Sequence, residues 1–231
     1  MADADGLLLV MQTPKAGREQ DHLDWYVSTH LPDVCSVPGA IRGEFTAVAP
    51  GTENPRWTNA AAYWLQGNPA EFLNEVFNRV QAGQWQLSDT LDSEQTAMMI
   101  AEAITPRMRS EVTADVDPAE RLLYIVLTNP TEGDDDTFNE WYSGTHIPDV
   151  IAVPGFVAAQ RFRFVDHPAL KPYPFRYAAL YEVKASEAQS AFAELSARAG
   201  TDRMVLSPTL SKDPLHAAPF APVGIQAGVA A

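Results

Sequence analysis

Cysteine is almost missing: Cys35 stands alone in 231 residues. A single thiol cannot close an intramolecular disulfide, and it excludes a zinc site built from several cysteines. Long apolar runs are missing as well. Leu7 to Met11 falls far short of the roughly 20 residues that a membrane helix needs. The Met-Ala-Asp-Ala-Asp-Gly before it has no basic region of the kind that opens a secretory signal. Basic residues are scarce beside acidic ones: 16 Lys and Arg against 30 Asp and Glu leave a formal net charge of −14. That field repels phosphate backbones and anionic headgroups, so neither nucleic acid nor a membrane surface is an expected partner, and a cytoplasmic protein is expected. A glycine-rich phosphate loop, a cysteine motif and a carboxylate cluster are also absent, which argues against nucleotide, thiol and two-metal chemistry.

What the chain does have is repetition. Trp25 to Gly39 (WYVSTHLPDVCSVPG) aligns without gaps onto Trp141 to Gly155 (WYSGTHIPDVIAVPG), and ten of the fifteen pairs are identical. The correspondence continues in order on both sides. Leu7–Thr13 answers Leu122–Thr128, Ala61–Trp64 answers Ala178–Tyr181, and Leu87–Leu91 answers Leu206–Leu210. Chance does not produce four ordered matches easily.

Each copy reads alike. Leu7 to Gln12 and Leu122 to Leu127 are short apolar runs suited to buried strands. His22, Trp25, Tyr26 and Thr29, like Phe138, Trp141, Tyr142 and Thr145, fall at helical spacing, and Pro32 or Pro148 is expected to stop that helix. Val-Pro-Gly turns into a second strand; a third follows at Ala60–Leu65 and Tyr177–Val183, then a helix at 69–80 and 186–199. The fourth strand is expected at Thr96–Ile104 and Leu215–Val223, the latter irregular or at an edge because of its prolines. The order is β-α-β-β-α-β, twice, so the expected fold is α+β: two tandem ferredoxin-like units. They would span residues 1–106 and 121–231, joined by an acidic, solvated connector at 107–120, with Gly224–Ala231 a frayed tail. Strands apolar on both faces need a second cover, for which the other copy's sheet is the simplest candidate.

With Trp25, Tyr26, His30, Pro32, Pro38 and Gly39, and again Trp141, Tyr142, His146, Pro148, Pro154 and Gly155, the chain resembles the EthD-like branch of the dimeric α/β-barrel superfamily over nearly its whole length, twice. The resemblance implies two sheets forming an intramolecular pseudo-dimeric barrel, with a ligand cleft between each sheet and its first helix. It also implies a chain able to work as a monomer, further association being open. Members of that superfamily include polyketide cyclases, dehydratases, muconolactone isomerases, cofactor-free monooxygenases and some haem proteins, so the fold alone does not choose the chemistry.

His30 and His146 hold equivalent places, and histidine is the natural acid or base near neutral pH. Asp33 and Asp149 follow at i+3, where a carboxylate could fix the imidazole; the alternative is that these residues only cap a helix end. Tyr26 and Tyr142 could donate to an oxyanion, and Trp25 and Trp141 could stack on an aromatic substrate. Adjacent helical positions lie about 100° apart, so Trp and Tyr cannot both face one cleft. The second copy adds Arg161, Arg163, His216 and Tyr177, where the first has Glu44, Thr46 and Ala97 opposite the two arginines and His216; Arg161 and Arg163 could instead reach outward at the rim. His-x-x-Asp offers two metal ligands and no third, so neither metal nor cofactor is expected. The leading expectation is a cofactor-independent lyase, dehydratase, cyclase or isomerase acting on a small aromatic or polyketide-like molecule, with His146 as base or acid. The alternatives are a cofactor-free monooxygenase on a phenolic substrate and a non-catalytic small-molecule-binding or stress-response module.

Overall fold

The computed structural model describes residues 3–229. The chain is α+β, and its elements follow the order read from the sequence. β1 (Gly6–Gln12) leads through α1 (Glu19–Trp25) and α2 (Leu31–Cys35) to β2 (Ala40–Val48), β3 (Asn59–Leu65), α3 (Pro69–Gln81) and β4 (Thr96–Ala103). A short β5 (Met108–Arg109) follows. Then come β6 (Arg121–Thr128), α4 (Asp135–Trp141), α5 (Ile147–Ile151), β7 (Phe156–Val165), β8 (Tyr177–Lys184), α6 (Ala188–Arg198) and β9 (His216–Ala227). Among the described residues no helix is long and apolar enough to cross a membrane.

The chain forms two compact units. The first holds residues up to Ala103 with Phe164–Tyr173 and the segment from Phe220; the second holds Ile104–Arg163 and Pro174–Pro219. In the first unit the antiparallel order is β4-β1-β3-β2, and residues 220–227 of β9 pair along β2. β1 and β3 are buried at every position, as their unbroken apolar runs require. Tyr26, Leu31, Val34 and Phe45 pack with Leu8, Val10, Tyr63 and Phe72 between sheet and helices. Asn68 starts α3 by accepting from the amides of Ala70 (2.8 Å) and Glu71 (3.4 Å), with Pro69 in the first turn. In the second unit β6-β8-β7-β5 are antiparallel neighbours, and Phe138, Tyr142, Ile147, Phe156 and Tyr181 form the core. Gly39 and Gly155, after Pro38 and Pro154, have φ of +98° and +94°, a conformation only glycine adopts without strain.

Two expectations change, and the irregularity expected of the last strand is met. Gly224–Ala227 is strand, not frayed tail, and Gly228 donates to Ile41 O at 2.9 Å; Ala230 and Ala231 lie outside the described residues. The small residues there serve close packing: a Cβ on Gly224 would come within 2.8 Å of Val27. The prolines of β9 are absorbed by a register slip opposite Phe45 and Thr46, where Thr46 faces Pro222 and Phe45 faces Gly224. Finally, the connector is not wholly solvated: Arg107 is buried against Glu182, and Met108–Arg109 pairs with β7.

Candidate active site

Proline does not stop the first helix of either unit. In the second unit α4 runs into Tyr142–His146, which winds as a π turn, and then into α5. The amide of Ile147 reaches back five residues to Tyr142 O. Pro148 sits in the first turn of α5, where the widened winding accommodates its missing N–H. The geometry has a direct consequence. In an α-helix residues five apart point about 140° apart; here the π turn aligns them. The imidazole of His146 stacks on the indole of Trp141, with centroids at 4.8 Å and planes 26° apart, and meets the edge of Tyr142 at 4.9 Å.

Beside His146 lies a cavity of ≈ 290 Å³, lined in part by Tyr124, Tyr142, Tyr181, Thr128, Leu206 and Leu215. The Tyr181 hydroxyl donates to that of Tyr142 at 3.3 Å. Leu206 and Leu215 are exposed and give the cavity an apolar rim. His146 Nδ1 is buried without a partner. Burial, and then the nearby Arg161 cation, push the imidazole down to about 4, so it is neutral at physiological pH. Burial raises Tyr142, an effect opposed by its bond from Tyr181 and by Arg161, and pushes Tyr124 up to about 12.

Arg161 is fully buried and does not reach the rim. Its guanidinium lies 4.3 Å from the Tyr142 ring centroid, on the core side. It donates to Ser143 Oγ (2.7 Å), Asn139 Oδ1 (2.9 Å) and Asn139 O (3.4 Å); it has no carboxylate partner among the described residues, and its Nε is unpartnered. Arg163 is exposed. Tyr177 belongs to the Arg161 surroundings rather than to the cavity wall: it accepts from Asn139 Nδ2 (2.9 Å) and donates to Asp135 (3.0 Å). His216 is half-buried; its neighbours Leu215 and Ala217 line the cavity and it does not. Asp149 makes no hydrogen bond to His146, nor Asp33 to His30, among the described residues, so neither carboxylate fixes an imidazole. Helical side chains lean toward the N-terminus, and the indole five residues back captures the ring before the short carboxylate at i+3 can.

The first unit repeats the frame with other fittings. Trp25 stacks on His30 (4.7 Å, 18°), Tyr26 meets His30 edge-on (4.9 Å), and Tyr63 donates to Tyr26 at 3.1 Å. The tyrosines are core and the tryptophans half-buried in both units. The residue under Tyr26 is Phe45, stacked at 3.9 Å. Strand register makes Phe45, not Glu44, the counterpart of Arg161: Phe45 pairs with Ala61 and Arg161 with Ala179, each two residues before the tyrosine of the hydroxyl pair. Glu44 is instead ion-paired with Arg42 at 2.8 Å, and Arg42 lies over Trp64. Sequence reading missed Tyr63 and Tyr181, which a one-residue shift of the third-strand alignment superposes. It also missed Tyr124, Gln12 and, as a polar group, His22.

Neutral buried histidines make stability depend on pH. His22 is fully buried, and burial pushes it from 6.5 down to about 4. Between those values the unfolded chain holds more protons, so stability is full above pH 6.5 and falls as pH drops toward 4. For His22 this is about 3 kcal/mol; His30 and His146, both also near 4, act in the same direction. The melting temperature should stay flat from pH 8 to 6.5 and then decline, more gently in His22→Phe. An identical slope in that variant would contradict this account.

Among the described residues no three His, Cys, Asp or Glu side chains are grouped to hold a metal ion. No family model matches the sequence, and no curated protein matches it. Solved structures do match. An anthrone oxidase-like protein aligns over 100% of this chain and 95% of its own at TM-score 0.64 and 12% identity. A candidate monooxygenase from Lactobacillus acidophilus aligns over 98% and 97% at TM-score 0.56 and 8% identity. Another, from Fusobacterium nucleatum, aligns over 99% and 98% at TM-score 0.52 and 11% identity. At these identities what the chain shares with them is the fold, along its full length.

Proposed function

We propose that the chain is a small-molecule enzyme, a cofactor-independent oxygenase of a phenolic or similarly acidic aromatic compound, working in the cavity beside His146. We further propose that it arose by tandem duplication of a ferredoxin-like unit (1–106 and 121–231) within the EthD-like branch. The observation that carries the functional reading is Arg161. A buried guanidinium without a carboxylate, under the tyrosine floor of a mostly apolar cavity, favours a negative charge forming on a ligand there. The names borne by structural neighbours, an oxidase and monooxygenases, favour oxygenation over the lyase or isomerase chemistry expected first.

In this reading His146 takes the substrate proton. An imidazole near 4 is a weak base in the empty cavity. Once its transfer leaves an oxyanion beside it, the new charge pair holds both ionised forms. The Tyr142 hydroxyl, whose proton is free because it accepts from Tyr181, binds that oxygen. The electron-rich anion then reduces dioxygen, and for an anthrone-type methylene the balance is CH2 + O2 → C=O + H2O.

The experiment is oxygen uptake with an anthrone as probe. One O2 consumed per anthrone lost is expected, with the acid limb of kcat/KM far below the ordinary histidine value. Arg161→Met should raise the apparent substrate pKa by about one unit, a roughly tenfold loss at fixed pH below it. Turnover of an aromatic substrate without oxygen uptake would sink the oxygenase reading and restore the lyase or isomerase one.

A further inference from the structure

Arg161 is held by a chain of neutral groups whose order its own chemistry dictates. A guanidinium can only donate, so the Asn139 side chain must turn Oδ1 to the Arg161 Nη2 (2.9 Å), which leaves Nδ2 donating to the Tyr177 hydroxyl (2.9 Å). The Tyr177 oxygen accepts there, and its proton goes to Asp135 (3.0 Å), which is also paired with Arg176 (2.7 Å). Ser143 Oγ accepts from the other terminal nitrogen at 2.7 Å. The rings facing the guanidinium are Tyr142 at 4.3 Å and Phe138 and Tyr177 at 5.3 Å, with the Tyr181 phenol and the His146 imidazole in electrostatic range. The first carboxylate along the chain, Asp135, therefore stands two neutral side chains away and is engaged by another arginine. Buried arginines are ordinarily matched directly, as Arg107 and Arg121 are by Glu182.

The first unit lacks this set. The gapless match of Trp25 onto Trp141 places Leu23 at Asn139 and Val27 at Ser143, and strand register places Asn59 at Tyr177. With Phe45 in the position of Arg161, Leu23 and Val27 pack against the apolar core instead. Cation and neutral shell are present together in one unit and absent together in the other. Resting on the reading of the His146 cavity as a site for an ionisable aromatic, we infer that Asn139 is a positioning residue that makes this cavity select the ionised form of its ligand. Its amide fixes the guanidinium beneath Tyr142 and leaves the positive charge uncancelled toward the cavity. A carboxylate in the same place would hold the arginine equally well and cancel its field. Tyr177 and Asp135 stand behind the amide and complete its hydrogen bonding.

4-Nitrophenol tests this on the full chain. Only its ionised form absorbs strongly in the visible, so its pKa when bound is read directly and without turnover. The wild-type chain is expected to lower that pKa relative to the free compound. Asn139→Asp, nearly isosteric, should raise it above the wild-type value by about one unit, a roughly tenfold weaker hold on the ionised form, with binding of the neutral form and the melting temperature maintained. The fold accommodates the change because Tyr177 can turn its proton from Asp135 to the new carboxylate. Arg161→Met should raise the bound pKa in the same way. A raised value in Arg161→Met beside a wild-type value in Asn139→Asp would overturn the role of Asn139 and leave the cavity reading standing. Equal loss of both forms in Asn139→Asp would reduce the residue to packing and overturn that role too. A wild-type chain that does not bind the probe, or leaves its pKa unmoved, would deny the cation any hold on a ligand and take the cavity reading down with the role of Asn139.

Discussion

Replacing His146 by alanine is expected to lower kcat by about 10²–10⁴-fold, the usual cost of losing a general base, with the fold intact. The side chain is half-buried, and its ring contacts are the Trp141 face and the Tyr142 edge rather than a hydrogen-bond network, so its removal enlarges the cavity without orphaning a partner. His30→Ala should change turnover far less, because Phe45 stands beneath Tyr26 where Arg161 stands beneath Tyr142. Steady-state kinetics on the two single variants decides the matter. Equal losses would mean that both units contribute to turnover; no loss in either would reduce the histidines to packing against tryptophan.

The largest effect on stability is expected at Glu182. Its carboxylate accepts from Arg107 Nε at 2.8 Å and Nη2 at 2.5 Å, and from Arg121 Nη1. All three side chains are buried, and Asp115, partly exposed, accepts from Arg107 at 2.9 and 3.1 Å. Glu182→Ala takes the shared carboxylate from two buried guanidinium groups. Breaking such a group by removing one partner costs about 3–5 kcal/mol. At about 2–4 °C per kcal/mol for a chain of this size, a fall of about 10 °C is expected by calorimetry. A change under 2 °C would mean that water or Asp115 compensates.

The order of elements was readable because it depends on local pattern: Leu7–Met11 is apolar throughout and lies in β1, and Val-Pro-Gly turns where glycine must take positive φ. The pairing of β9 was not readable. Glycine and alanine look featureless until the close approach to Val27 is seen. The aromatic frame of the site was legible, since Trp25, Tyr26 and His30 recur as Trp141, Tyr142 and His146. The ionic placements were not. Arg161 looked like a rim residue because alternation along a strand tells the face but not the depth, and a one-residue slip in matching β2 to β7 hid its true counterpart, Phe45. Asp149 looked like a partner for His146 because spacing along α5 does not show the π turn before it, which hands the imidazole to Trp141.

That winding constrains what the chain can tolerate in length. A π turn is an α-helix carrying one residue more than it needs. Deleting one residue between Trp141 and His146, Gly144 for example, would restore regular winding and leave the tryptophan and the histidine four apart, about 40° from alignment on one helix face. Inserting one there would instead rotate everything before it by about 100° against everything after it, and the imidazole would leave the indole and the cavity together although every side chain named here would still be present. The interval from tryptophan to histidine is thus itself a feature of the site, one that a survey of substitutions passes over and a survey of insertions finds at once.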